Sequence, residues 1–167
     1  MPPEVTVDKL VLRQAIDDLN AAYAACIDAD RLEDWPAFFT DPCLYQVVPR
    51  ENVDAGLPLA LIRCDSRGML ADRVVAHREA NIFGPHAYRH LIGRAHIVGE
   101  DGALVEARTN YAVYRTWLDS ASYGETVLYS VGEYRDRIAV SAGTARLVER
   151  TVVVDTARID SLLATPL

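Results

Sequence analysis

Leu12, Ile16, Leu19, Tyr23 and Cys26 recur at steps of three and four residues, which lays one apolar stripe along a helix over about residues 6–28. Arg13, Asp17, Asp18 and Asn20 fall on its polar face. Asp28 to Asp34 reads as a polar turn, with Asp34 as the cap of a second short helix that contains Trp35 and Pro36. Residues 43–48 predict a short strand, 50–57 a loop and 59–64 another extended piece. A cap at Asp65 or Ser66 starts a helix running to about Asn81, with Met69, Leu70, Val74 and His77 near one face. Gly84 and Pro85 then break the pattern.

Beyond Tyr88 the chain predicts four long antiparallel strands, over about 89–98, 103–117, 124–138 and 145–155. Turn residues separate them at Glu100 to Gly102, Asp119 to Gly124 and Ser141 to Gly143. Helices followed by a run of long strands indicate an α+β fold in which the N-terminal helices cover one face of an antiparallel sheet. No repeat, low-complexity tract or linker interrupts residues 1–167, so one domain is expected, with residues 1–5 as a mobile arm.

Half of the 167 residues are hydrophobic, enough for a sizeable core. No apolar run reaches the roughly 18 residues that a membrane helix needs, and no signal peptide opens the chain, so a cytoplasmic location is expected. Cys26, Cys43 and Cys64 are widely spaced and read as reduced, buried thiols. The formal charge of -7 argues against a nucleic-acid-binding module. The charge is nevertheless uneven. Between Leu61 and Arg94 stand six arginines against three acids, a local +3 that suggests a docking surface.

Candidate chemistry is sparse. His86, His90 and His96 are spaced H-x3-H-x5-H, which invites a metal. On one extended strand, however, His90 and His96 would lie about 20 Å apart at ~3.3 Å per residue, too far to share an ion. Asp28 or Asp30 with Tyr45, His90 and Tyr111 could converge as an acid–base set, although the same residues fit solvated turn acids and half-buried sheet tyrosines. Arg108, Arg115, Glu133, Arg135, Arg137, Arg146, Glu149 and Arg150 read as cross-strand pairs or solvated charges. Trp35 and Trp117 read as core or interface anchors.

The run DS-x-x-ML-x-DR-x-x-A-x-REANI from Asp65, followed by H-x-YRH from His86, resembles the small (beta) subunit of aromatic-ring-hydroxylating Rieske non-haem iron dioxygenases, most closely the terephthalate-oxidising members. AAYAACIDADRLEDWPAFFTDPCLYQVVPRENVDAGL upstream, and SVGEYRDR, RLVERTVVVDT and TPL downstream, extend the likeness from about Leu19 to Leu167. The resemblance implies a nuclear transport factor 2-like cone in which a curved antiparallel sheet wraps the helices. It implies a structural subunit of an alpha3-beta3 assembly, with beta–beta trimer contacts. The Rieske [2Fe-2S] cluster, the mononuclear Fe(II) and the active site would sit on the large alpha subunit, supplied by an NAD(P)H-dependent reductase. The complex would cis-dihydroxylate an aromatic carboxylate such as terephthalate or a benzoate-like acid. Arg67, Arg73, Arg78, Arg89 and His90 are then the expected subunit-interface residues, and no catalytic, cofactor or metal residue is expected in this chain. A self-contained dehydratase, isomerase or small-ligand-binding cone using Asp30, Tyr45 and His90 stays open as the alternative.

Overall fold

The computed structural model describes residues 7–80, 84–119, 121–141, 144–156, 163 and 165–167. The arm expected over residues 1–5 lies outside them. The first helix, α1, spans Val7–Asp28 and buries Ile16, Leu19, Tyr23 and Cys26, the stripe its periodicity predicts. A 3-10 helix follows over Leu32–Phe38. Arg31 stands at its N-terminus without a side-chain cap, so Asp34 lies inside the turn rather than before it. Residue Leu32 is fully buried and starts the element earlier than the polar run suggests.

Strand β1 (Phe39–Pro49) begins four residues before the expected Cys43, because Phe39 already pairs with Leu147. The expected loop after it contains a one-turn helix, α2 (Arg50–Asp54). Strand β2 is confined to Ile62–Cys64, and α3 runs over Arg67–Glu79. Ser66 is the cap of α3: its Oγ accepts the Met69 N–H at 3.3 Å.

The remaining strands are β3 (His86–Ile92), β4 (His96–Asp101), β5 (Leu104–Trp117), β6 (Thr126–Ser141) and β7 (Thr144–Val154). The single strand expected over 89–98 is therefore two. Gly93 donates to Asn110 O at 2.8 Å, while the Ala95 N–H leaves the ladder for the Asp17 carboxylate of α1, also at 2.8 Å. A helix side chain thus interrupts a pattern that reads as continuous in sequence.

The seven strands form one sheet in the order β2-β1-β7-β6-β5-β3, with β4 also on β5. All the pairings are antiparallel except β1 with β7, which is parallel. Along β5, Val105, Ala107, Thr109, Tyr111, Val113 and Arg115 are buried and their alternate neighbours are not, which defines the inner face. The α+β arrangement of helices against a curved sheet is the expected nuclear transport factor 2-like cone. Its interior is aromatic: Trp35 lies edge-on to Tyr45 at 5.0 Å and to Phe39 at 5.7 Å, and Tyr111 stacks on Tyr134 at 4.6 Å. No helix among the described residues is long and apolar enough to cross a membrane.

Candidate functional site

Inside the cone, strands β6 and β7 place Asp136 and Arg150 opposite one another with both side chains excluded from water. The Arg150 guanidinium donates through Nε to Asp136 Oδ1 at 2.9 Å and through Nη2 to Asp136 Oδ2 at 2.8 Å. Nη2 also donates to Asn20 Oδ1 of α1. The Tyr23 and Tyr134 rings flank the guanidinium at 4.2 and 4.1 Å. Burial alone would lower the arginine pKa, but the Asp136 carboxylate outweighs it and the group stays above its ordinary value. Among the strand charges that the sequence offers as cross-strand pairs or solvated groups, Arg150 is a cross-strand pair, fully buried, and its partner Asp136 is revealed only by strand register. Arg115 is buried likewise, with its guanidinium 4.3 Å from the Trp117 ring and 5.0 Å from that of Tyr129.

The chain's own residues 165–167 reach this interior. Leu167 donates its N–H to Tyr45 Oη at 3.0 Å and accepts the Tyr23 hydroxyl at 2.8 Å, while Arg73 donates to Leu163 O at 2.7 Å. Leu167 and Thr165 are buried. Burial pushes the Tyr45 phenol well above its ordinary pKa, and does the same to Tyr111, whose hydroxyl is 3.0 Å from Ser130 Oγ. Neither phenol is poised to carry protons near neutrality.

The polar turn after α1 meets α3 and β3 at a second cluster. His90 Nδ1 lies 2.6 Å from Asp28 Oδ1, and Asp28 Oδ2 accepts the His90 backbone N–H at 2.9 Å. Both side chains are buried, and His90 Nε2 makes no hydrogen bond among the described residues. Asp30 is a few ångströms of chain away but does something else. At φ 55° it turns the backbone, and Arg78 of α3 holds it with bonds of 2.8 Å to both carboxylate oxygens and to its carbonyl. Arg78 also binds Glu33, at 2.8 and 3.1 Å, and those bonds hold the Glu33 carboxyl down to about 2.

The structure therefore joins His90 to Asp28, while Arg78 binds Asp30 and Leu167 binds Tyr45. Of the expected interface arginines, Arg73 and Arg78 are engaged within the chain, whereas Arg89 is solvent-exposed on β3 and Arg67 half-exposed on α3. His86 Nδ1 lies 2.8 Å from Gly84 O, and His96 is exposed on β4. Among the described residues no three His, Cys, Asp or Glu side chains are grouped as metal ligands. A recess of about 530 Å³ beside the cluster is lined by Asp28, Asp30, His77, His86, Tyr88 and Thr165, among others.

Against known proteins, residues 22–161 match the family model described as ring hydroxylating beta subunit. The chain is 40% identical to the anthranilate 1,2-dioxygenase small subunit of Burkholderia cepacia, over 89% of this chain and 90% of that protein. It is 43% identical to the terephthalate 1,2-dioxygenase terminal oxygenase component subunit beta 2 of Comamonas sp, over 89% and 94%. A solved beta subunit assigned to an aromatic-ring-hydroxylating dioxygenase of Novosphingobium aromaticivorans superposes with a TM-score of 0.84 at 56% identity, covering 95% of this chain and 98% of that one.

Proposed function

The chain belongs to the ring hydroxylating beta subunit family and is the small subunit of an aromatic-ring-hydroxylating dioxygenase, and on that premise we propose that its role in the complex is assembly rather than chemistry. One observation supports this reading above the others. Several polar groups of the cone interior are bonded to one another or to Leu167, with Arg150 held by Asp136, and Tyr23 and Tyr45 held by Leu167. A site built for turnover keeps convergent polar groups turned toward a substrate.

In this proposal a large subunit carries the Rieske cluster and the mononuclear iron, in an alpha3-beta3 complex located in the cytoplasm. A reductase draws on NAD(P)H, and both oxygen atoms of dioxygen enter an aromatic carboxylate to give a cis-dihydrodiol. Anthranilate, terephthalate and benzoate-like acids are the substrate candidates, since relatives named for the first two match this chain about equally well. A Rieske cluster requires two cysteines and two histidines together. Here Cys26, Cys43 and Cys64 are buried in the core, and His96 is exposed on β4. Arg67 and Arg89 present the interface, and His90, Arg73 and Arg78 brace the elements behind them.

The alternative, a self-contained cone enzyme or ligand-binding protein, draws on one specific feature, the buried Asp28–His90 pair with its open Nε2. Asp28→Asn and His90→Gln variants of the assembled complex separate the two readings. Turnover of the aromatic acid within about twofold of wild type is the expected result. A hundredfold loss in a complex with full iron content and unchanged stoichiometry would assign the pair to catalysis.

A further inference from the structure

Thr165, Pro166 and Leu167 are all buried, yet they belong to no helix or strand. Side chains of the cone hold them in place of a backbone ladder. Tyr23 donates its hydroxyl to Leu167 O at 2.8 Å, and Tyr45 Oη accepts the Leu167 N–H at 3.0 Å. Both tyrosines are fully buried, so one hydroxyl that donates and one that accepts converge on a single residue inside the cone. Further along the segment, Thr165 hydrogen-bonds the Tyr88 side chain of β3, and Arg73 of α3 donates to Leu163 O at 2.7 Å.

The surroundings of Leu167 have the make-up of a small-molecule site, a mostly apolar and aromatic enclosure with a few convergent polar groups. Tyr23 lies edge-on to Phe38 at 5.7 Å and to Phe39 at 6.4 Å, and Tyr45 to Trp35 at 5.0 Å and to Phe39 at 6.1 Å. An approach from outside exists as well. Thr165 lines the recess of about 530 Å³, so the segment runs from that recess to the two tyrosines. Asp28 belongs to the same recess wall, and its partner His90 keeps Nε2 as a buried acceptor with no hydrogen bond among the described residues.

We propose that the cone interior is a ligand-binding cavity whose occupant in the folded chain is its own segment 165–167, and that a small phenol takes the same place when the segment leaves. A phenol ring packs edge-on against Trp35 and Phe39 as the resident rings do. Its hydroxyl both accepts and donates, and so replaces the carbonyl and the N–H that Leu167 presents to Tyr23 and Tyr45. A plain hydrocarbon ring would leave both tyrosine hydroxyls buried and unpaired, which is the costly arrangement. This occupancy is independent of the assembly role proposed above.

The test uses the full-length chain carrying Leu167→Asp, which sets a carboxylate where burial is strongly unfavourable and so releases the segment. Faster hydrogen exchange at Thr165 and at position 167 reports the release. In calorimetric titration with phenol the variant is expected to bind about tenfold or more tightly than wild type, in which the segment competes for the site. The tripeptide Thr-Pro-Leu added in trans should displace the phenol, and Tyr45→Phe introduced beside Leu167→Asp should weaken its binding. If Leu167→Asp does not fold, Leu167→Ala, which keeps the backbone bonds and shortens only the buried anchor, is titrated in its place with the same expectations. Equal binding by wild type and variant, no binding by a folded variant, or binding that neither the tripeptide nor Tyr45→Phe weakens overturns the proposal.

Discussion

Arg150 and Asp136 face each other across β6 and β7, wholly shielded from water and joined by two hydrogen bonds of 2.9 and 2.8 Å. A guanidinium at that depth is tolerated because a carboxylate, the Asn20 side chain and two tyrosine rings surround it. Removing one partner leaves the other charge buried and uncompensated, which costs about 3–5 kcal/mol, whereas replacing both by apolar residues of similar volume costs far less. Asp136→Asn should lower the urea midpoint sharply, and Asp136→Leu with Arg150→Met should recover most of the loss. Equal destabilisation by the single and the double replacement would contradict this account.

The clamp on Leu167 is two phenol hydrogen bonds, each worth about 1 kcal/mol. Tyr45→Phe should therefore cost roughly that much and leave the Leu167 backbone N–H, its former donor, unsatisfied. Hydrogen exchange at Leu167 should accelerate by about tenfold while exchange in β5 and β6 is unchanged. Exchange at Leu167 that is already fast in the wild type would mean that residues 165–167 do not seal the cone in solution.

Burial holds the His77 pKa below its ordinary 6.5, and the neighbouring Arg78 adds to the effect. The unfolded chain then takes up a proton near pH 6.5 that the folded chain refuses, so stability falls as the pH drops below 6.5 and levels off once the folded imidazole also titrates. His77→Phe should flatten unfolding midpoints between pH 7.5 and 5.5. Glu33 acts in a lower window. Its carboxyl, held at about 2 by Arg78, supports the fold above its ordinary 4.5, and that support disappears as the pH falls toward 2. Glu33→Gln should remove only this second dependence.

Gly132 of β6 pairs with Val154 of β7. A methyl group added there would fall inside the van der Waals envelope of the Val153 carbonyl oxygen, with the Val153 and Val154 backbone behind it. Backbone cannot yield as a side chain can, so Gly132→Ala should destabilise by about 3 kcal/mol or more, in the range of severe overpacking. A thermal midpoint within a few degrees of wild type would show that β6 can shift away from β7.

Much of this architecture was legible in the chain. The stripe from Leu12 to Cys26, the Ser66 cap and the long alternating strands are local patterns whose period or hydrogen bonding is set within a few residues. Local patterns failed where a distant group intervened. Asp17 of α1 captures the Ala95 N–H and splits one expected strand, and Phe39 joins β1 because Leu147, 108 residues later, is beside it. The acid–base set was half legible: the sequence offered Asp28 or Asp30 beside His90, and the φ of 55° at Asp30 and the grip of Arg78 leave Asp28 as the partner.

The sequence by itself determined the family, the helical and strand segments and the local excess of arginine, because these depend on residue identity and short-range order. Only the tertiary structure decided which charges are buried partners and which are exposed. Arg150 and Arg108 are both arginines in alternating strands, and nothing local distinguishes them. Register across six strands turns Arg150 inward onto Asp136 and Arg108 outward onto Arg135, and that placement is fixed by hydrogen bonds between segments far apart in the chain.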